Sequence, residues 1–233
     1  MIKAIFFDFN GVIIDDESIQ MKAYQEVLRG HQIELTEELY FDALGTDDKT
    51  FVQSLFQRAK KPLTDPVLEA VLATKTDLHR SMIGDVLPLF PGVLTFLKAT
   101  SRHFSLGLVS MSNKTEVAYV FERANLTPLF SIVVTAEDAS VCKPAPECYM
   151  AGLTKLNEKR QHERKLPLLP SECLAIEDSP PGIKSARAAG MRTLGVTNTV
   201  TAEALRSAGA DVVTASLADW TPEAVKLVFS RHN

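Results

Sequence analysis

Cysteine is scarce in this sequence. The three present, Cys142, Cys148 and Cys173, form no CxxC pair and leave an odd count, which excludes a disulfide scaffold, gives no sign of zinc and fits reduced thiols. Long apolar runs are missing as well. The first, Ala4 to Phe7, stops at Asp8 and is too short for a signal segment, and no later stretch approaches the ~18 apolar residues of a membrane span. A cytoplasmic protein with no membrane partner is expected. There is no basic excess, since 25 Lys and Arg against 29 Asp and Glu leave a net charge of −4, and aromatic residues make up only 7%. Binding to a nucleic-acid backbone is therefore not expected. The five histidines, His31, His79, His103, His162 and His232, show no ligand spacing and read as surface or packing residues.

What is present is enough apolar sequence, 45% of 233 residues, to bury one large core or a main core and a smaller insert. Short β-rich runs recur at Ile2 to Phe7, Ser105 to Val109, Ile132 to Thr135, Leu174 to Ile176, Thr193 to Val196 and Asp211 to Val213. Helical patterns lie between most of them. Val117, Val120, Phe121 and Ala124 share one face and predict a helix over Asn113 to Ala124. Another, Gly182 to Ala189, is closed by Gly190, since glycine tolerates the left-handed conformation of a helix end. This alternation predicts an α/β fold, a Rossmann-like, doubly wound parallel sheet that binds ligands beyond the carboxyl ends of its strands.

From about Asp15 to Asp85 the alternation stops. No convincing strand is found there, and Ser18 to Leu28 and Pro66 to Met82 are the clearest helices. The expected organisation is an all-helical domain over 15–85 inserted into an α/β core of residues 1–14 and 86–233. Its return lies at Leu87-Pro-Leu-Phe-Pro-Gly92, where prolines prevent a helix from continuing. Lys155 to Lys165 holds five basic residues and reads as a solvated helix end and loop.

Four polar clusters follow the first, second, third and fourth apolar runs: Asp8-Phe-Asn10-Gly11, Ser110-Met-Ser112-Asn113, Lys143-Pro-Ala-Pro146 and Glu177-Asp178-Ser179. Any one alone is a cap, a turn or a surface residue. Together they supply a carboxylate nucleophile, a hydroxyl, an ammonium and an acidic pair at one edge of a parallel sheet, the parts of metal-assisted phosphoryl transfer. A phosphomonoester repels a carboxylate until cations neutralise its oxygens. Lys143 and a metal ion would supply that charge. Gly11 would let the backbone turn tightly around metal and phosphate.

On these motifs, in this order and spacing, the whole chain resembles the haloacid dehalogenase superfamily. Lys143-Pro-Ala-Pro followed by Glu177-Asp178-Ser-Pro-Pro-Gly182 is the most specific part. The resemblance is to the branch with a helical cap inserted after the first motif, similar to beta-phosphoglucomutase-like phosphatases. It implies that Asp8 attacks phosphorus and becomes an aspartyl phosphate, while Ser110 and Lys143 hold the transferring oxygens. It further implies a Mg2+ held by Asp8, the backbone carbonyl of Asn10, Asp178 and, beside or behind it, Glu177. Gly11, Ser112 and Asn113 would border the substrate, a small phosphorylated metabolite, in a monomer or weak homodimer.

One residue departs from that pattern. Asn10 stands where the phosphatase branch normally has a second aspartate, the acid and base for the leaving group and for water. A carboxamide transfers no proton at ordinary pH, so the departure predicts attenuated or leaving-group-selective turnover and a phosphoenzyme that accumulates. The alternatives are a catalytically impaired, phosphate-binding regulatory protein, and an Asn10 that was introduced or that deamidates. In the cap, Leu44-Gly45-Thr-Asp-Asp-Lys49 resembles the family's specificity loop, with Lys49 as the candidate substrate contact and an exposed first-turn lysine as the other reading. Gln20 falls near the place where mutase-like members carry a histidine, which argues against mutase activity. Lys49 also invites comparison with the phosphonoacetaldehyde hydrolases, which cleave a carbon–phosphorus bond through a Schiff-base lysine; the metal-free dehalogenase branch would not need Glu177-Asp178. Cys142 reads as a small residue filling a strand end, and Tyr119 and Phe121 as helix faces.

Overall fold

A computed structural model describes residues 1–230; the expectation for His232 lies outside them. Six strands, β1 (Ala4–Phe7), β2 (Ser105–Val109), β3 (Ile132–Val134), β4 (Cys173–Glu177), β5 (Arg192–Val196) and β6 (Val212–Thr214), form one sheet in the order β3-β2-β1-β4-β5-β6. Every pairing is parallel. The central strands are apolar throughout because both faces are covered. Ile5, Phe7, Leu174 and Ile176 join the core on one side, and Ala4, Phe6, Cys173 and Ala175 the core on the other, as the two-residue period of a strand requires. This is the doubly wound α/β architecture expected from the alternation.

The order reverses between β1 and β4. One branch of the chain proceeds from β1 to β2 and β3 and the other from β4 to β5 and β6, which opens a crevice at the carboxyl ends of β1 and β4. Helices α5 (Val93–Thr100), α6 (Lys114–Arg123), α7 (Glu147–His162), α8 (Pro180–Ala188), α9 (Ala202–Ser207) and α10 (Pro222–Ser230) flank the sheet. The predicted helix at Asn113 appears as α6, with the Asn113 carboxamide oxygen accepting from the Glu116 N–H as its N-cap. The basic stretch 155–165 is the last part of α7, where Leu156 is buried in the core, and the exposed turn after it.

Four helices fall between β1 and β2 before α5: α1 (Glu17–Gly30), α2 (Glu37–Phe41), α3 (Asp48–Arg58) and α4 (Asp65–Ile83). Tyr24, Leu28, Val52, Leu55, Leu68 and Val71 belong to an apolar cluster formed within this segment. Outgoing and returning chains run side by side at its base, where the Asp15 N–H donates to the Pro88 carbonyl at 2.7 Å and the Phe90 N–H to that of Ile13 at 3.1 Å. Gly92, in a left-handed conformation, then starts α5.

Candidate active site

Asp8 is the first residue past β1. Its N–H donates to the Ile176 carbonyl at 3.0 Å, which carries the β1–β4 pairing one step further and sets Asp8 beside Glu177 and Asp178. The Asp8 carboxylate accepts from the Phe9 N–H at 2.8 Å and lies 3.0 Å from the Lys143 ammonium. Lys143 is not at the end of β3, where the apolar run suggested it; a short 3-10 turn, Ala136–Asp138, intervenes. From the loop beyond that turn, its buried Nζ also donates to Glu177 Oε1 at 2.6 Å and to the Val109 carbonyl at 3.4 Å. Burial alone would lower the Lys143 pKa, but the Asp8 and Glu177 charges outweigh it and hold the ammonium above its ordinary value. Ser110 directly follows β2, is 1% exposed and accepts the Ser112 N–H on Oγ at 3.0 Å.

The acidic group fits a magnesium ion. Asp8, Glu177 and Asp178 each present an oxygen, all within 4.8 Å of one another, and hard oxygen donors are what that ion takes. Burial, and after it the Asp8 charge, pushes the Glu177 and Asp178 carboxyls well above the usual carboxylate range, the condition of anions gathered without enough positive charge. Glu177 Oε2 is buried without a donor. The two later acids are not equivalent, however. Asp178 lines the cavity with Asp8, whereas Glu177 sits behind it, with Oε1 accepting from both Lys143 and the Tyr149 hydroxyl, the latter at 2.5 Å. Gly11, at φ +72°, passes so close that a Cβ there would come within 1.9 Å of Asp178 Oδ2, so only glycine closes this turn.

Asn10 is fully engaged. Its amide nitrogen donates to both oxygens of Asp16, at 2.8 and 3.0 Å, and its oxygen accepts from the Ser112 hydroxyl. Asp16 is completely buried and also meets His79 Nε2 at 2.7 Å. A chain of buried polar groups continues from there. Gln20 links Asp16 to Glu116, and Lys75 bridges Glu116 at 2.9 Å and Asp48 at 3.1 Å. Asn113 closes the chain, its amide donating to Asp48 at 3.0 Å. Asn113 thus ties α6 to α3 and does not line the cavity, while Ser112 does.

Lys49 departs from the expectation. It is exposed and absent from the cavity lining, because the first turn of α3 directs its neighbours Asp47 and Asp48 inward. The comparison with carbon–phosphorus-cleaving enzymes loses its lysine, as Lys143 is the cavity's lysine among the described residues. Cys142 also differs from its expected role. It donates to Asp47 across the seam between helical insert and sheet, and burial and that hydrogen bond raise its thiol pKa. His79, expected at the surface or in packing, is 1% exposed within the polar chain.

The residue that sequence reasoning missed is Glu17. It lines the cavity from the first turn of α1 and accepts the Tyr40 hydroxyl at 2.6 Å. Burial, then the Asp16 charge, raises its pKa to about 7. The available signal was the acid run Asp15-Asp16-Glu17 at a helix start, which also suits a helix dipole. Gln20, Tyr24, Tyr40 and Thr46 complete much of the helical side of the cavity, and Gly45 packs against Lys143 and Pro181 at its rim.

Comparison with known proteins brings these observations together. Residues 2–190 match the family model of the haloacid dehalogenase-like hydrolases. The YhcW protein of Bacillus subtilis is 30% identical over 207 residues, covering 86% of each chain. The phosphorylated carbohydrates phosphatase of Thermotoga maritima is 26% identical over 89% of this chain and 92% of its own. The crystal structure of beta-phosphoglucomutase from Clostridium difficile superposes with a TM-score of 0.84 at 21% identity, covering 99% of this chain and 98% of that one, a likeness of fold.

Proposed function

Because the chain belongs to the haloacid dehalogenase-like hydrolases, we propose that it is a magnesium-dependent phosphatase of small phosphorylated carbohydrates, with Asp8 as nucleophile. The observation that carries this reading is the Asp8 carboxylate set 3.0 Å from the buried Lys143 ammonium and beside Asp178 at the sheet's switch point. The printed activity of the Thermotoga relative supports the substrate class.

In this reading residues 15–85 are a cap over a core of 1–14 and 86–233. Asp8 attacks phosphorus, a P–O bond to Asp8 forms, and the bond to the leaving oxygen breaks. Lys143 and the Ser110 hydroxyl hold the transferring oxygens, which is the electrostatic share of catalysis. Glu177 and Tyr149 position Lys143 and keep its ammonium aimed at Asp8. Asp8, Asp178 and the Asn10 carbonyl would hold a magnesium ion with Glu177 behind them, and the ion when bound neutralises phosphoryl charge. Asn10 cannot protonate the leaving oxygen or deprotonate water, so both steps fall to solvent, and good leaving groups are favoured.

The test is phosphate release from sugar, acyl and aryl phosphates with magnesium, comparing the native chain with Asp8→Ala. Release by the native chain and none above background by the variant is the expected result. Equal release by both would remove Asp8 from the mechanism.

A further inference from the structure

We propose that the cap side of the cavity is a subsite for a leaving group that brings hydrogen-bond donors and no second anionic group, a hydroxylated or amine-bearing polyol, and that Glu17 and Gln20 meet it. This rests on the phosphatase reading and narrows its substrate class.

The first observation is charge. Among the described residues lining the cavity, the cap contributes the carboxylates Glu17, Asp47 and Asp48 and no lysine or arginine. Lys143, on the core side, is committed to Asp8 and Glu177. Two cap lysines come near without serving the cavity: Lys49 is exposed, and Lys75 is 1% exposed and spent on Asp48 and Glu116. A second phosphate or a carboxylate on the leaving group would meet Asp47 and, once ionised, Glu17, while the cap's buried cation, Lys75, is already spent on Asp48 and Glu116; such like-charge juxtaposition disfavours binding.

The second observation is a census of donors and acceptors. The Tyr40 hydroxyl is given to Glu17 and the Tyr24 hydroxyl to Asp48. Thr46 donates to the Ala43 carbonyl, and the Gln20 amide nitrogen to Asp16 and Glu116. The cap's side-chain donors here are therefore already used. Acceptors remain. Gln20 is 5% exposed, and its Oε1 has no partner, while Glu17 has a carboxylate oxygen beyond the one that takes the Tyr40 proton. A buried acceptor without a donor, as Gln20 Oε1 is, is costly to leave unmatched, and a hydroxyl or an ammonium on the ligand would match it, with the part-buried Glu17 offering its second oxygen beside it. A site built this way rejects analogues lacking the donor far better than it rejects differences of size.

The test measures binding separately from turnover. Glucose 6-phosphate, glucosamine 6-phosphate, 6-phosphogluconate and fructose 1,6-bisphosphate are titrated calorimetrically, with magnesium, into the full-length Asp8→Ala protein, and kcat/KM is measured for the same four and for p-nitrophenyl phosphate with the native chain. The expected result is at least a ten-fold preference for the first two over the last two, reduced or reversed by Glu17→Lys. If that variant does not fold, the order of affinities for Asp8→Ala decides. Tighter or equal binding of the doubly anionic pair, or no binding of any of the four at millimolar concentration, overturns the proposal. Binding in the expected order without release of phosphate from any compound by the native chain leaves the subsite standing and overturns the phosphatase reading. Turnover with the doubly anionic pair preferred does the reverse.

Discussion

At the scale of single residues, Asn10 decides most. Its amide donates to both oxygens of a completely buried Asp16, so a carboxylate at position 10 would stand against another with no proton between them. Two carboxyls in contact, one of them fully buried, do not both ionise. Asn10→Asp should therefore restore acid–base chemistry, worth about 10² to 10⁴ in rate, while lowering the melting temperature. Adding Asp16→Asn should recover the lost stability. Phosphate-release kinetics and thermal unfolding of the three proteins check this; a stable Asn10→Asp with unchanged kcat would show that residue 10 neither lacks a needed proton nor depends on Asp16. The sequence displayed Asn10 as a departure but not its bond to Asp16, because the five residues of turn between them gave no sign that the two side chains meet.

At the scale of elements, α4 is joined to α6 by a buried ion pair. Lys75 of α4 and Glu116 of α6 are each 1% exposed and 2.9 Å apart. Burial alone would raise the Glu116 pKa, but the Lys75 and His79 charges and the hydrogen bonds from Gln20 and Lys75 together outweigh it and bring it to about 2. Its share of stability is thus present above its ordinary value of 4.5 and lost as pH falls toward 2. Lys75→Met strands a buried carboxylate, which should cost about 3–5 kcal/mol, and Glu116→Gln in the same chain should return much of that. Denaturant unfolding of the double-mutant cycle checks this. Additive losses would mean that the pair does not couple α4 to α6.

The elements themselves were largely legible. Apolar runs gave five strands within a residue or two and β2 with its observed bounds, because a strand covered on both faces must be apolar throughout. Two of the four helices before α5 were placed from the sequence; α2, five residues long, is too short to show a period, and the stripe of α3, Phe51, Val52, Leu55 and Phe56, was legible but not used. Lys49 and Asp48 were indistinguishable by pattern, since one residue of rotation on a helix decides which faces the cavity. Lys75, Glu116 and Glu17 are charged residues on helices, and sequence reading gives such residues to solvent unless a partner distant in the chain is known.

At the scale of the whole molecule, the site gathers more buried negative charge than its single lysine offsets. The Glu177 and Asp178 carboxyls are held above their ordinary range, and Glu17 is raised from 4.5 to about 7. The folded chain therefore keeps protons that the unfolded chain releases, and these groups contribute stability fully below about pH 4 that is lost as pH rises through their folded values. With chelator present, the melting temperature should fall between pH 5 and 8. Magnesium should raise it more at pH 8 than at pH 5, because the ion replaces protons. A magnesium shift that is independent of pH, or larger at pH 5, would contradict the assignment of these acids to a cation site.

In the proposed mechanism Asp8 takes the phosphoryl group and Asn10 delays its release. Its most direct measurement is rapid acid quenching of the native chain mixed with magnesium and a turned-over phosphomonoester, followed by mass analysis of the peptide carrying Asp8. That peptide should gain one phosphoryl group within the first turnover, hold it longer than in Asn10→Asp, and never gain it in Asp8→Ala. Turnover with no phosphorylated peptide at any quench time, or with equal turnover by Asp8→Ala, would contradict the mechanism.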